Sequence, residues 1–186
     1  MAQVLIPEEQ AHNPFGFALS TYAPEIGAAG GGYAKAVYQF SRLPLRVLEA
    51  ARYRTAQING CMVCQDMRAA RDVGPLLDAM GGDASGSIVA RGGPAPDDRF
   101  YAEVSEWRGS TLFDERERLA IEYAERMGEQ PRSLQGDDVF WRRVHEAYTD
   151  AELVDLTLAI GAWIGLGRVT HALELDTVCL QETFAH

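Results

Sequence analysis

Apolar residues in this chain recur three and four positions apart, and no stretch alternates with period two for long enough to predict a strand. The pattern therefore predicts helices almost throughout. Tyr33 to Phe40 fits a short helix, and Ser41-Arg42-Leu43-Pro44 reads as a break, with Pro44 suited to a first helical turn. From Pro44 to about Gln57, Val47, Leu48 and Ala51, with Ile58 just beyond, follow helical spacing. A helix from about Gly60 to Asp72 is expected to stop at Gly74-Pro75. Asp97 or Asp98 can cap a helix running through Trp107, and Asp137 can cap one carrying Phe140, Trp141 and Val144. Asp114 with Glu117, and Thr149 with Glu152, have capping-box spacing. The first box opens a helix ending at Gly128, and the second opens the longest helix.

That last helix is apolar on most sides, from Leu153 to Leu166, so a core position or a subunit contact is expected. Its Gly161, Gly165 and Gly167 fit either a close helix crossing or a kink. Residues 1–32 contain Pro7, Pro14, Pro24 and Gly30-Gly31-Gly32, and read as an extended N-terminal arm with about one helical turn. Residues 33–186 read as a single helical domain. Residues 81–97, rich in glycine and proline, read as a surface connection rather than a lid. The class is all-α, a helical bundle.

The chain has 186 residues, enough for one well-filled domain, and a formal net charge of −10. That charge argues against nucleic acid or an anionic membrane as a partner. The N-terminal residues lack a secretory pattern, and the apolar run Leu156 to Leu166 is short of the roughly 20 residues that span a bilayer. A cytoplasmic, reducing compartment is expected. Three cysteines are too few for a disulfide framework, and Cys179 reads as a core residue.

The chemistry concentrates at Cys61-Met62-Val63-Cys64, just after the turn signal Asn59-Gly60. Two thiols three residues apart on a helix share a face and can meet in a disulfide. With Asn59 as a possible N-cap, the pair falls in a first helical turn, where free N–H groups and the helix dipole favour thiolate. A structural zinc site would need a second pair or suitably spaced histidines, and His12, His145, His171 and His186 are scattered. No metal or cofactor is expected. A thioredoxin-type site would need a βαβ setting, which is missing. A helical thiol peroxidase and a plain pair of core cysteines remain. His145 reads as a packing or surface residue, and Trp107, Trp141 and Trp163 as core or interface anchors. His171 could line a site contributed by the last helix.

These residues carry a family resemblance. Leu43 to Glu49 followed by Ala56 to Cys64 resembles the carboxymuconolactone decarboxylase and alkyl hydroperoxidase D superfamily, in its peroxidase-related branch. The segments starting at Asp114 and Thr149, and the region of Leu166 to Arg168, are similar too, so the likeness runs from about residue 20 onward. It implies an all-α fold and a cycle in which Cys64 attacks a small-molecule peroxide and Cys61 resolves the sulfenic acid. It also implies a dithiol protein as reductant, a homo-oligomer, and Glu49 as the start of a proton relay to the attacking thiol. The family histidine four residues after the second cysteine is Arg68 here, and Val63 stands where some relatives have another histidine. A guanidinium stabilises a thiolate but cannot shuttle a proton as imidazole does. At i,i+4 spacing Arg68 is expected beside Cys64, either lowering its pKa while Glu49 pairs with Arg68 or acts through water, or simply pairing with a surface carboxylate such as Asp72. Two other readings stay open: a decarboxylase-like enzyme acting on a lactone or small carbon acid, and a non-catalytic redox or interaction protein.

Overall fold

The computed structural model describes residues 2–176, so Cys179 and His186 lie outside the described residues. Ten α-helices, joined by short 3-10 turns, make an all-α bundle, and no strand occurs among the described residues. They are α1 (Pro14–Tyr22), α2 (Pro24–Phe40), α3 (Leu45–Asn59), α4 (Met62–Asp66) and α5 (Ala69–Ala79). After these come α6 (Ile88–Arg91), α7 (Asp98–Glu103), α8 (Glu115–Glu129), α9 (Asp138–Ala147) and α10 (Asp150–Ala172).

Helix α3 is the axis of the bundle. It is packed between α8 and α10, and ten of its residues are buried, among them the charged Glu49 and Arg52. Ala50, Ala51 and Ala56 keep it slim enough for both neighbours to approach. The main core gathers Leu45, Leu48, Leu77, Leu119, Leu156 and Ile160. A second cluster, built on Phe100, Tyr101, Trp107 and Phe113, closes the α7 side. Both expected capping boxes form, at Asp114 with Glu117 and at Thr149 with Glu152, and Asp97 and Asp137 cap as expected.

Three expectations are corrected. Residues 14–32 are not an extended arm. Pro14 and Pro24 occupy first-turn positions, where the missing N–H costs nothing, and Asn13 caps α1 by accepting a hydrogen bond from Gly16 N. The triple glycine lies inside α2, so no short helix begins at Tyr33. Packing there overrides propensity: a Cβ on Gly30 would meet Leu166 and one on Gly31 would meet Met80. Gly74-Pro75 lies inside α5 rather than ending it, because Val73 and Leu77 on either side anchor the segment in the core. The segment 81–97 is mostly irregular but includes a 3-10 turn and the short α6.

Helix α10 spans 23 residues, so the apolar run read as too short belongs to a helix long and apolar enough, by length and composition, to cross a membrane. In this fold one side of it packs on α2, α3 and α8, while Val154 and Leu158 face outward. Of its glycines, Gly167 marks a close crossing: a Cβ there would sit 2.5 Å from Asn59 Nδ2 on α3. At Gly165 a Cβ would meet nothing within 4 Å. Two substitutions on one helix should therefore act in opposite directions. Gly165→Ala should raise stability by up to about 1 kcal/mol through helix propensity. Gly167→Ala should lower it by about 1–3 kcal/mol through overpacking. Urea denaturation of the two variants is the check.

Candidate functional site

Gly60 ends α3 in the left-handed region, at φ 69°, which a glycine adopts without a Cβ penalty. The chain reverses there and Cys61 becomes the N-cap of α4. Asn-Gly is thus a helix stop, and the cap expected of Asn59 is supplied by Cys61. The Cys61 sulfur accepts a hydrogen bond from Cys64 N at 3.3 Å. The two sulfurs are joined in a disulfide, with the Cα atoms 5.3 Å apart. They are not equivalent: Cys61 has no solvent exposure, whereas Cys64 lines a cavity of about 220 Å³. Arg52, Asn59, Tyr38, Trp163 and Thr170 are the polar groups in its otherwise apolar wall.

The helix expected over 60–72 is interrupted. Helix α4 ends at Asp66, Met67 and Arg68 are extended, and α5 starts at Ala69. The last carbonyls of α4 are therefore left without intrahelical donors, and arginines take them. Arg52 donates to Cys64 O at 2.6 Å and to Met67 O at 2.9 Å. Arg68 donates to Gln65 O, Asp66 O and Met67 O, and Arg71 to Asp66 O. Arg68 is thus a helix-end cap. Its guanidinium lies 4.0 Å over the Tyr101 ring. It is not a same-face helical neighbour of Cys64, and Asp72 pairs with the Arg71 side chain while accepting only the backbone N–H of Arg68. The helix break corrects the same-face placement of Arg68, and its expected side-chain pairing with Asp72 does not form.

Glu49 and Arg52, one turn apart on α3, form a bidentate ion pair at 2.5 and 3.0 Å, and both are almost wholly buried. Glu49 also accepts from the Tyr101 hydroxyl at 2.6 Å and from Ala69 N at 3.4 Å, the first N–H of α5. Its partner is Arg52, not Arg68. Burial works against the charge on Arg52, but the Glu49 carboxylate and its hydrogen bonds outweigh that and hold the guanidinium above its usual range. Burial pushes the hydroxyls of Tyr38 and Tyr101 well up, so both are neutral phenols.

The sequence reading missed Arg52, Tyr101 and the cavity-facing Asn59 and Trp163. The one signal for Arg52 was its i,i+3 spacing from Glu49. His171 lies against Gly60, its ring atoms 3.2 Å from where a Cβ would be. Its Nδ1 is 3.1 Å from Asp176 Oδ2, which also accepts from Met62 N at 3.0 Å. His171 and Asp176 thus touch the residues on either side of Cys61. His145 sits elsewhere, its ring 6.3 Å from that of Trp141 and tilted to it. Among the described residues no cluster of His, Cys, Asp and Glu could hold a metal ion.

This arrangement belongs to an all-α fold of the alkyl hydroperoxidase D type. A crystal structure from Agrobacterium tumefaciens, described as a protein of unknown function and a candidate antioxidant defence protein AhpD, has a similar fold. It aligns with a TM-score of 0.60 at 23% identity, over 83% of this chain and 92% of that one. No protein-family model matches the chain, and no curated protein matches it.

Breaking a buried ion pair strands a charge. Arg52→Met should therefore destabilise the protein by about 3–5 kcal/mol. The double variant Glu49→Gln/Arg52→Met should regain part of that loss. Chemical denaturation of the single and double variants measures the coupling.

Proposed function

We propose that this protein is a two-cysteine thiol peroxidase that reduces organic hydroperoxides. The observation that carries this reading is the asymmetry of the pair. Cys64 borders a cavity beside a permanently charged guanidinium, while Cys61 is buried behind it within bonding distance.

The steps follow from that placement. In the reduced protein, the positive charge of Arg52 favours the thiolate of Cys64. The thiolate attacks a peroxide oxygen, the O–O bond breaks, and the alkoxide leaves with a proton from solvent as an alcohol. Cys64 becomes a sulfenic acid. The Cys61 thiol displaces its hydroxyl as water and closes the disulfide. A dithiol protein then attacks Cys64, the sulfur on the cavity side, and releases Cys61 as the leaving thiolate. The hydrogen bond from Cys64 N favours that leaving group. A second exchange within the dithiol frees Cys64. In this reading Glu49 holds Arg52 in place and Arg68 shapes the helix end. Assembly from more than one copy belongs to the same proposal, and sedimentation in solution tests it.

Purified protein supplied with dithiothreitol should consume tert-butyl hydroperoxide. Cys64→Ser should abolish turnover. Cys61→Ser should stop cycling but leave Cys64 able to form a sulfenic acid that dimedone traps. A wild-type protein whose cysteines stay reduced after stoichiometric hydroperoxide would overturn the proposal.

A further inference from the structure

Helix α1 lines the Cys64 cavity without belonging to the core. Its Phe15 and Leu19 form one wall, and the other walls come from α2, α3, α4, α5 and α10. Helices α2, α3, α5 and α10 all contribute to the main core, whereas α1 supplies no residue to either core cluster. A segment with so few core contacts lies at the low end of local stability, so α1 can shift while the bundle stays closed. Each of its ends is a single-residue joint. Asn13 before it and Ala23 after it leave the helical region, with φ and ψ of −143° and 62°, and −149° and 61°. Each joint precedes a proline, Pro14 or Pro24, which disfavours the α conformation for the residue before it. Helices α1 and α2 therefore stay separate, and Gly27 lets them fold closely together: a Cβ there would lie 2.8 Å from Leu19 Cβ. An N-terminal strap fastens the far end of α1. The Tyr22 hydroxyl donates to Leu5 O at 2.8 Å, and Gln3 N donates to Leu173 O at 3.0 Å. Gln3 Nε2 also donates to Glu174 Oε1 at 2.9 Å. Leu173 and Glu174 begin the turn after α10 whose Asp176 holds Met62 N. The side-chain bonds of the strap are exposed to water, which replaces such bonds at little net cost.

We propose that α1 is a hinged lid on the Cys64 cavity, turning about Asn13 and Ala23 and latched by the strap of residues 3–5, and that it opens to let a thiol carried on a protein reach Cys64. Hinges of this kind are a few terminal residues that absorb the backbone change. With the lid closed, a small molecule reaches the half-buried Cys64 through a cavity of about 220 Å³. A thiol on a folded protein brings its backbone with it and does not fit that space. On the peroxidase reading, on which the lid's use in turnover rests, closure separates the two half-reactions. A small peroxide oxidises the closed form, and the dithiol protein reduces the open one.

Thiol labelling of the reduced full chain tests the lid without any peroxide. N-ethylmaleimide and fluorescein maleimide carry the same reactive group on a small and a bulky body. Their rates at Cys64 are read by peptide mass spectrometry, each divided by its rate with free glutathione. The wild type should discriminate against the bulky reagent by about tenfold or more. Tyr22→Phe keeps the ring and removes one latch bond, so it should speed the bulky reagent alone, by about three- to tenfold. Tyr33→Phe removes a comparable exposed bond, to Leu158 O, away from the cavity, and should change neither rate. Reduction of the disulfide by thioredoxin should follow the bulky reagent, and reduction by dithiothreitol the small one. Equal normalised rates for the two reagents in the wild type overturn the proposal. So does an unchanged bulky-reagent rate in Tyr22→Phe, or an equal rise in Tyr33→Phe. Size selection that depends on the latch, in a protein that consumes no hydroperoxide, would sustain the lid and sink the peroxidase reading. Hydroperoxide turnover without size selection would do the reverse.

Discussion

A carboxylate and a guanidinium, both withdrawn from water on one helix, set the terms for everything around Cys64. Burying either charge alone costs several kcal/mol even after relaxation, and their attraction offsets this only if the remaining donors and acceptors are also used. Glu49 and Arg52 meet that condition by reaching across the break between α4 and α5. Arg52 takes carbonyls from the end of α4, where the helix dipole is negative, and Glu49 takes an N–H from the start of α5, where it is positive. The pair is thus oriented with both dipoles. A continuous helix from Gly60 to Asp72 would have consumed those backbone groups itself and left the ion pair under-satisfied.

The same constraint explains the arginine content of this corner. A five-residue helix has almost as many unsatisfied carbonyls as residues. Arg52, Arg68 and Arg71 each cover some of them, and Tyr101 ties the result to α7 by donating to Glu49 while its ring carries the Arg68 guanidinium. One side of the Cys64 backbone is therefore rigid and charged. The other side opens on an apolar cavity. The carbonyl of Cys64 thus lies against the Glu49–Arg52 pair while its side chain borders the cavity.

Much of this was legible in the sequence, and the failures share a cause. Caps made by local side chains were readable, since Asp114 with Glu117 and Thr149 with Glu152 act within four residues. The Cys-x-x-Cys pair was readable for the same reason, and so was the all-α class. Misreadings arose where tertiary contacts decide. Glycine and proline in residues 14–32 signalled an arm, but α2 continues through three glycines, two of which pack close to Leu166 and Met80. Arg68 was placed by helical periodicity, but the backbone breaks at Met67, for which residue type gave no warning. Arg52 was overlooked because an arginine on an amphipathic helix is ordinarily solvated. Only the burial of α3 on all sides makes it part of the site.

The inequality of the two cysteines follows from the turn at Gly60 more than from the cysteines themselves. A left-handed residue there turns the chain so that Cys61 is buried, with His171 against Gly60 on one side and Asp176 accepting from Met62 N on the other. The advance of three residues along α4 then carries Cys64 to the cavity. Any residue with a Cβ at position 60 would both strain that backbone and press on the His171 ring. The geometry that hides one sulfur and presents the other therefore depends on a residue with no side chain. An imidazole from α10 lies against the backbone beside Cys61, and a guanidinium paired with Glu49 holds the carbonyl of Cys64.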